Sequence, residues 1–303
     1  MYDFQQYMTK FLTLLRVEQW VKNLFVFLPL FFSGNFLNTE LFLKSCVAFV
    51  VFSLASSTIY IINDYADAES DRQHPDKKNR PIASGAISKK TALGIAIFLM
   101  GLIISIILFI TAGLQQNIGK FAIVILTYLG MNLAYTFRLK HVAIIDVCLI
   151  SIGFVLRVMA GGYSTEIPIS QWAILLTFVL ALVLALGKRR GELINAQISG
   201  KTRRSLDGYN VQFADIALSI SVTLAIISYL MFTVQPEVQN RFGNKIFYTF
   251  IFVVFAFLRY LQQTLVHNRT ESPTKIIYKD RYIQATLILW VVSYFLLIYY
   301  KTF

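Results

Sequence analysis

Nine apolar runs, each about as long as a membrane-spanning helix, constrain this chain more than any other feature of its sequence. They lie at roughly 20–37, 43–63, 91–113, 119–137, 142–162, 170–187, 214–234, 246–266 and 282–300. A helix needs about 20 mostly apolar residues to cross the hydrocarbon core of a bilayer. Only 15% of the 303 residues are charged, against about 25% in soluble globular proteins. The sequence therefore predicts an all-α integral membrane bundle of nine transmembrane helices and argues against a soluble enzyme.

The distribution of Lys and Arg predicts the orientation of this bundle. With a cytoplasmic N-terminus, 21 of the 28 basic residues fall in cytoplasmic segments and five fall on the other side, while Arg157 and Arg259 lie within spans. Such an excess is typical of cytoplasmic loops in membrane proteins. We therefore expect a single polytopic domain over 1–303. Its cytoplasmic loops at about 64–90 and 188–213 are the expected catalytic loops, since long polar loops on a rigid scaffold commonly carry function.

The net charge of +12 has two readings. In a soluble protein it would indicate nucleic acid as a partner. Because the chain has no basic–aromatic nucleic-acid motif and is strongly apolar, we exclude nucleic acid. The charge instead predicts contact with the lipid bilayer and with phosphate ligands.

An acidic motif follows the second predicted span. It reads N-D-x-x-D-x-x-x-D, from Asn63 and Asp64 through Asp67 to Asp71. On a helix the three aspartates fall within about 60° of one another, and carboxylates crowded on one stripe repel unless a cation lies between them. Such oxygen ligands suit Mg²⁺, which commonly shares them with substrate phosphates. The alternative is a solvated acidic helix end, but three aspartates at this spacing favour a metal site.

The segment after the acidic motif supplies the opposite charge. It reads H-P-x-K-K-x-R-P and contains Lys77, Lys78 and Arg80. Pro75 ends the helix, because proline lacks the amide that continues the ladder. The three cations are therefore expected to fold back toward phosphates bound at the aspartates.

The acidic motif, in a multi-helix membrane protein, resembles the first aspartate motif of the UbiA superfamily of membrane prenyltransferases. The resemblance covers nearly the whole chain. It implies that Asp64, Asp67 and Asp71 are the catalytic residues, which bind Mg²⁺ and a diphosphate. UbiA members also carry a second aspartate motif after the sixth helix, and here that position reads Lys188-Arg189-Arg190-Gly-Glu192. A basic cluster binds phosphate directly, whereas a second carboxylate cluster would recruit metal.

This replacement is similar to one branch of the superfamily, the decaprenyl-phosphate phosphoribosyltransferases. Other segments that fit the branch are Arg16-x-x-Gln19-Trp20-x-Lys22-Asn23, Tyr135-x-x-x-x-Lys140 and Asp146 with Gly153-Phe-x-Leu-Arg157. The resemblance implies an Mg²⁺-dependent enzyme of the bacterial inner membrane. It would transfer 5-phosphoribose from phosphoribosyl diphosphate (PRPP) to a polyprenyl monophosphate of the decaprenyl type on the cytoplasmic side. The product would serve the synthesis of cell-envelope glycans.

The candidate substrate-binding residues come from these motifs. They are Lys22, Asn23, Asn63, Lys77, Lys78, Arg80, Tyr135, Lys140, Asp146, Lys188, Arg189, Glu192, Arg203 and Tyr209. Plainer structural roles remain open for some of them. Basic residues at a cytoplasmic helix end commonly anchor topology, and Lys188 and Glu192 have the i, i+4 spacing of a helical ion pair. Arg157 and Arg259, within spans, have either a structural or a substrate role.

Two other functions remain as alternatives at this stage. One is an ordinary UbiA enzyme that attaches an isoprenoid from a prenyl diphosphate to an aromatic ring, against which the missing second aspartate motif argues. The other is a non-enzymatic lipid transporter, which predicts polar residues at mid-bilayer depth rather than an acidic stripe at a helix end. The sequence leaves the oligomeric state open, with a homo-oligomer as one alternative.

Overall fold

The computed structural model describes residues 2–73, 77–114, 119–199, 204–268, 276 and 279–299. All regular secondary structure in these residues is helical, which confirms the all-α prediction. The chain forms two compact units. The first unit comprises Met1–Leu139 and Leu156–Pro168, and the second comprises Lys140–Val155 and Ile169–Phe303. The single polytopic domain stays a prediction.

The first unit is built around one interior helix. Its helices are α1 (Tyr2–Leu15), a 3-10 helix (Val17–Phe27), α2 (Leu28–Phe32), α3 (Thr39–Ala66), α4 (Ala68–Arg72), a 3-10 turn (Lys77–Asn79), α5 (Lys89–Leu114), α6 (Gly119–Phe137) and the second half of α7 (Ile145–Thr165). Helix α3 packs against α1, α5, α6 and the first 3-10 helix, so 67% of its most apolar stretch is buried. The corresponding stretch of α5 is only 17% buried, as expected of a helix that faces lipid.

The second unit is organised by the pairing of two long helices. Its helices are the first half of α7, α8 (Gln171–Ser199), a 3-10 helix (Arg204–Gly208), α9 (Val211–Thr233), α10 (Pro236–Phe242), a 3-10 helix (Asn244–Thr249), α11 (Phe250–Leu261), a π-helical turn (Gln262–Val266) and α12 (Arg281–Tyr299). Helix α8 packs along α9, and α11 packs against α9 and α12. Val183, Leu186, Leu218, Val222 and Tyr260 belong to the buried core between them.

Seven helices of the described residues are long and apolar enough to cross a membrane. They correspond to the second through eighth predicted spans, which supports a multi-pass membrane protein. The first and ninth predicted spans are not among them: the ninth is a shorter apolar helix at Arg281–Leu297. The predicted count of nine and the predicted orientation are therefore not confirmed.

The first predicted span, at 20–37, differs from the structure for a local reason. The chain there forms the 3-10 helix Val17–Phe27 and then the short helix α2. Pro29 lies in the first turn of α2, where a missing amide costs nothing. Gly34 follows α2 with a φ of 71°, a conformation that ends a helix. Trp20, Lys22 and Asn23 thus lie on a tightly wound helix against α3.

The second predicted catalytic loop is also shorter than expected. We predicted a loop from about 188, but α8 continues to Ser199. Between Lys188 and Ser199 the chain has no proline, and leucine, isoleucine, alanine and glutamine follow Glu192, so the helix continues although Gly191 is a weak helix former. Lys188, Arg189 and Glu192 are therefore helical residues with fixed relative positions.

Candidate functional site

A cluster of opposite charges forms at the end of α3 in the first unit, and we call Asp64, Asp71, Arg16 and Arg80 the carboxylate cluster. Arg80 Nη1 lies 3.1 Å from Asp64 Oδ1 and 2.6 Å from Asp71 Oδ2. Arg16 Nη2 lies 2.6 Å from the same oxygen of Asp64. Both carboxylates are almost fully buried, whereas the two arginines are partly exposed. One guanidinium therefore bridges two aspartates of the predicted stripe.

The backbone at Asp67 keeps the stripe intact although the helix is interrupted there. Helix α3 ends at Ala66 and α4 begins at Ala68. The amide of Asp67 still donates to the carbonyl of Asn63, and the amide of Asp71 donates to the carbonyl of Asp67, both at 2.9 Å. These i→i+4 bonds preserve the helical turn, so Asp64 and Asp71 share one side. Asn63 and Asp67 are half-buried.

Of the three cations that follow the acidic motif, Arg80 contacts the aspartates directly, and the phosphate-binding role of all three stays a prediction. Lys77 also approaches the stripe, with Nζ 4.0 Å from Asp71 Oδ1, whereas Lys78 is exposed on the 3-10 turn. His74 to Asp76 lie outside the described residues. The segment thus supplies one tight and one loose cation to the aspartates.

Arg16 is a cluster member that sequence reasoning left out of the candidate residues. It connects α1 to the first 3-10 helix with a φ of 51°, a left-handed conformation that is costly for a residue with a Cβ. Its guanidinium also lies over the ring of Tyr60, 4.9 Å from the centroid. Its place in the R-x-x-Q-W-x-K-N segment was the available signal, but the partner Asp64 is 48 residues away.

A second group of polar residues lies farther along α3 in the same unit, and we call Asn23, Ser53, Ser56 and Arg157 the deep polar cluster. Asn23 Nδ2 donates to the hydroxyls of Ser53 and Ser56 at 3.0 and 3.2 Å. Arg157 Nε donates to Asn23 Oδ1 at 2.8 Å. All four residues are buried. The predicted residue Asn23 thus holds a span arginine whose role the sequence left open.

A glycine permits the close approach that forms the deep polar cluster. A Cβ placed on Gly161 would lie 1.9 Å from the carbonyl oxygen of Val26. A side chain at this position would push the second half of α7 away from the first 3-10 helix. The contact therefore sets the distance at which Arg157 meets Asn23.

Lys22 precedes Asn23 and lies outside the seven membrane-capable helices. Its pKa falls from 10.5 to about 8, mainly because the side chain is buried and, to a smaller extent, because the positive charges of Arg157 and Arg16 lie near it. The carboxylate of Glu18 opposes this shift and is the weakest of the four influences. Lys22 is thus a cation in a positive environment.

In the second unit, the position of the expected second aspartate motif carries a buried arginine. We call Asp146, Arg189, Glu192 and Tyr209 the arginine cluster. Arg189 is 1% exposed; its Nη1 donates to Glu192 Oε2, and its Nε lies 3.5 Å from Asp146 Oδ2. That longer contact is an ion pair without a hydrogen bond, since neither atom has a hydrogen-bond partner.

Tyr209 completes the arginine cluster. Its hydroxyl donates to Asp146 Oδ1 at 2.8 Å and accepts the amide of Ile144 at 2.7 Å. Burial raises the pKa of Tyr209 well above its usual value, and the adjacent Asp146 carboxylate adds to this rise. Tyr209 therefore remains a neutral donor that fixes Asp146.

The remaining predicted residues have separate positions. Lys188 is exposed, with Nζ 3.9 Å from Glu192 Oε1, so the helical pair foreseen from their spacing is present. Tyr135 is half-buried on α6 and Lys140 is buried. Arg203 lies outside the described residues.

Two further arginines of the second unit are paired. Arg190 Nε contacts Asp215, and its Nη1 donates to Asn268 Oδ1 at 2.9 Å. Arg259, a span arginine whose role the sequence left open, contacts Asp280 at 2.9 Å. Arg189, Arg190 and Arg259 thus each contact a carboxylate of their own unit.

The carboxylate cluster offers the ligand chemistry of a magnesium site. Within the described residues no three His, Cys, Asp or Glu side chains gather as a preformed metal site. Mg²⁺ is commonly held by one or two carboxylates together with substrate phosphates and water. Asp64 and Asp71 satisfy that requirement, because they already share one cation through Arg80.

The chain has relatives of known name along most of its length. A decaprenyl-phosphate phosphoribosyltransferase of Mycolicibacterium smegmatis is 36% identical over 288 residues, which cover 91% of this chain and 88% of that protein. The protein of the same name from Corynebacterium glutamicum is 33% identical and covers 94% of this chain and 85% of its own.

Solved structures show a likeness of fold at lower identity. A UbiA homolog from Archaeoglobus fulgidus bound to DMAPP and Mg²⁺ superposes with a TM-score of 0.66 at 17% identity. The match covers 95% of this chain and 99% of that one. The family model of the UbiA prenyltransferase family matches residues 24–278. Because this match covers most of the chain, the protein belongs to the UbiA prenyltransferase family.

Proposed function

We propose that this chain transfers 5-phosphoribose from PRPP to a polyprenyl monophosphate of the decaprenyl type and releases pyrophosphate. The observation that carries the proposal is Arg189, a buried arginine at the position where the family resemblance predicts a second metal-binding carboxylate motif. The carboxylate stripe with its metal ion would hold the diphosphate of the donor, and basic residues would bind the phosphate of the acceptor directly. This reaction therefore requires only one metal-binding motif. The names of the relatives at 33 and 36% identity support the same reaction.

The carboxylate cluster is the proposed donor site. Asp64, Asp67 and Asp71 would hold Mg²⁺ together with the diphosphate of PRPP, and the bound ion would neutralise charge that develops on pyrophosphate. Arg80 and Arg16 lie at these carboxylates and would contact the diphosphate oxygens once the metal takes their place. Lys77, within 4.0 Å of Asp71, would add a further positive charge.

The proposed reaction needs positioning and charge stabilisation more than proton transfer. The bond between ribose C1 and the diphosphate oxygen breaks, and its electron pair leaves with pyrophosphate. An oxygen of the acceptor phosphate forms the new bond to C1. Because a phosphate monoester is already anionic near neutral pH, no general base is required. Cations fixed around the two phosphates are then the main catalytic contribution of the chain.

The arginine cluster and the membrane location complete the proposal. Asp146 and Tyr209 would hold Arg189 in place, leaving Lys188 and Glu192 at the helix surface as the residues able to contact substrate. The carboxylate cluster would face the cytoplasm at the bacterial plasma membrane, where water-soluble PRPP is available. Lys140, Tyr135, Arg203 and Lys78 stay proposed substrate contacts on the strength of the sequence motifs alone.

A turnover assay tests the proposed reaction. The purified protein with Mg²⁺ would receive labelled PRPP with decaprenyl phosphate or, separately, a prenyl diphosphate with 4-hydroxybenzoate. We expect labelled lipid from the first pair only. The Asp71→Asn variant should lose this product, whereas Glu69→Gln, which alters an exposed carboxylate paired with Arg72 and Lys89, should keep it. Product from the second pair alone would establish an aromatic prenyltransferase instead, and no product from either would favour a lipid transporter.

A further inference from the structure

The deep polar cluster lies inside the apolar part of the first unit, well away from the carboxylate cluster. Ser53 and Ser56 precede Asp64 on the same helix, which places them roughly 12–16 Å along α3 from that carboxylate at 1.5 Å per residue. Both serines lie within the membrane-capable helix Thr39–Ala66. An ionisable side chain at such a depth is costly and commonly marks a functional site. Arg157, bonded to Asn23 beside these serines, is a side chain of this kind.

Two aromatic rings and one side-chain amide orient the guanidinium of Arg157. The guanidinium carbon lies 4.9 Å from the ring centroid of Phe52 and 5.3 Å from that of Tyr128. Aromatic faces attract a cation without neutralising it, and the amide of Asn23 is likewise neutral. These three contacts therefore hold a positive charge at a defined position within the span.

Lys22 connects the deep polar cluster to the carboxylate cluster. It lies on the 3-10 helix Val17–Phe27, which begins after Arg16. Arg16 is bonded to Asp64, and Asn23, the residue next to Lys22, is bonded to Arg157. Lys22 is half-buried, and among the residues that the structure describes its ammonium has neither an ion pair nor a hydrogen bond. An anion bound by Lys22 would thus lie between the two clusters. It would also relieve the repulsion among the three cations, which gives this position a preference for negative charge.

We infer that Lys22 and Arg157 bind the phosphate group of the polyprenyl phosphate acceptor. This inference rests on the proposed function and assigns one of its two phosphorylated substrates to a specific pair of cations. Only an anion that carries an apolar chain easily reaches a cation within a span, and Arg157 is such a cation. PRPP, which is water-soluble, suits the carboxylate cluster at the helix end. An acceptor phosphate held at Lys22 would be beside the donor, as the approach of reacting atoms to about 3–3.5 Å requires.

Protection of Lys22 from an amine-acylating reagent tests this assignment without requiring turnover. A lysine whose pKa is about 8 is largely uncharged at pH 8.5, so it should react faster than ordinary surface lysines. The protein in nanodiscs with Mg²⁺ would receive decaprenyl phosphate, decaprenol, inorganic phosphate or PRPP. Mass spectrometry would then give the labelling rate of Lys22. We expect decaprenyl phosphate alone to lower this rate, by about tenfold or more, because a bound phosphate favours the charged, unreactive form of the amine.

The other probes identify the ways in which the inference would be wrong. Equal protection by decaprenol would show that the apolar chain covers Lys22 without phosphate recognition. Protection by PRPP or inorganic phosphate, and none by decaprenyl phosphate, would assign Lys22 to the donor. No protection by any probe would remove Lys22 from the substrate site. If decaprenyl phosphate protects Lys22 and the turnover assay gives no product, the proposed reaction fails while the lipid-phosphate site stands.

Substitutions give an independent kinetic test. Lys22→Met should raise the KM for decaprenyl phosphate about tenfold and leave the KM for PRPP within about twofold. Lys22→Arg should restore most of the affinity because it restores the charge. Lys44→Met is the matched control, since Lys44 also lies in the first unit but pairs with Glu40 at 2.7 Å. A selective rise in the KM for PRPP would contradict the assignment. Arg157→Lys, which keeps the buried charge, should show a weaker form of the Lys22→Met effect.

Discussion

The two units of this protein use positive charge in different ways. In the second unit Arg189, Arg190 and Arg259 each contact a carboxylate, so Arg189, which the sequence offers as a phosphate ligand, already has an anionic partner. In the first unit Lys22 lies near two arginines, and its pKa falls to about 8 as a result of burial and of their charge. The difference shows that a count of basic residues in a motif does not locate an anion site. The unit in which a half-buried lysine lies near other cations is the better candidate.

Among substitutions that test this difference between the units, we expect the largest loss of activity from a change at Asp64. Asp64→Asn removes the carboxylate that both Arg16 and Arg80 contact, and with it a proposed metal ligand. We expect activity to fall by roughly 10³-fold, as when a major electrostatic contribution to the transition state is lost. Steady-state turnover with PRPP and decaprenyl phosphate measures this loss. Glu69→Gln is the control, and activity of Asp64→Asn near that of the control would exclude Asp64 from catalysis.

The second unit should respond to loss of its buried arginine mainly in stability. Arg189→Met leaves the carboxylate of Asp146, which is 0% exposed, without its cation. Breaking a buried ion pair on one side costs about 3–5 kcal/mol. Thermal unfolding in detergent should show this as a clear fall in Tm, and the double variant Arg189→Met with Asp146→Asn should recover part of it. Lys188→Met, at an exposed pair, should cost less than about 1 kcal/mol. Equal losses for Arg189→Met and Lys188→Met would refute a structural role specific to Arg189.

A substitution at Tyr209 tests how much the hydrogen bonds of the arginine cluster contribute to stability, because it changes no charge. Tyr209→Phe removes one hydroxyl that serves both Asp146 and the amide of Ile144. Leaving these buried groups unsatisfied should cost about 1–3 kcal/mol. We expect a lower Tm with KM values for both substrates unchanged. A selective rise in either KM would instead place Tyr209 in contact with that substrate.

The smallest expected effect is a pH dependence of stability in the first unit. Lys22 has a pKa of about 8 in the folded chain and 10.5 as its ordinary value. Between these values the unfolded chain binds more protons than the folded chain, so stability should rise as the pH increases from 8 toward 10.5. Comparison of Tm across this range should show a smaller rise in Lys22→Met than in wild type or Lys44→Met. Identical slopes in all three would mean that the folded chain does not depress the pKa of Lys22.

Much of the architecture was predictable because hydropathy acts locally. Seven of the nine apolar runs are membrane-capable helices, and six of these seven lie close to the predicted bounds. The first run was misread because length and apolarity do not reveal that Pro29 restarts the helix and that the preceding residues wind into a 3-10 helix against α3. The end of α8 was also misread. The polar residues after Lys188 suggested a loop, but the helix continues through them to Ser199.

The candidate site was predictable to the extent that it is local in sequence. The return of Arg80 to Asp64 and Asp71 spans 16 and 9 residues, a short separation along the chain. Arg16 was missed as a partner of Asp64, because nothing in a single sequence relates two residues that distant along the chain. The burial of Arg189 was missed because the exposed and buried faces of α8 depend on the helices that pack against it.

By itself, the sequence determined that this protein is a bundle of membrane helices with an acidic stripe at the end of one of them. Both follow from properties that repeat along the chain: hydropathy over about 20 residues and the helical period that aligns Asp64 with Asp71. Only the tertiary structure decided which cation meets which anion. Arg157 and Asn23 are 134 residues apart, yet they are joined by one hydrogen bond. Their meeting depends on the close approach of two helical segments at Gly161, because only the packing of these segments brings residues so distant along the chain together.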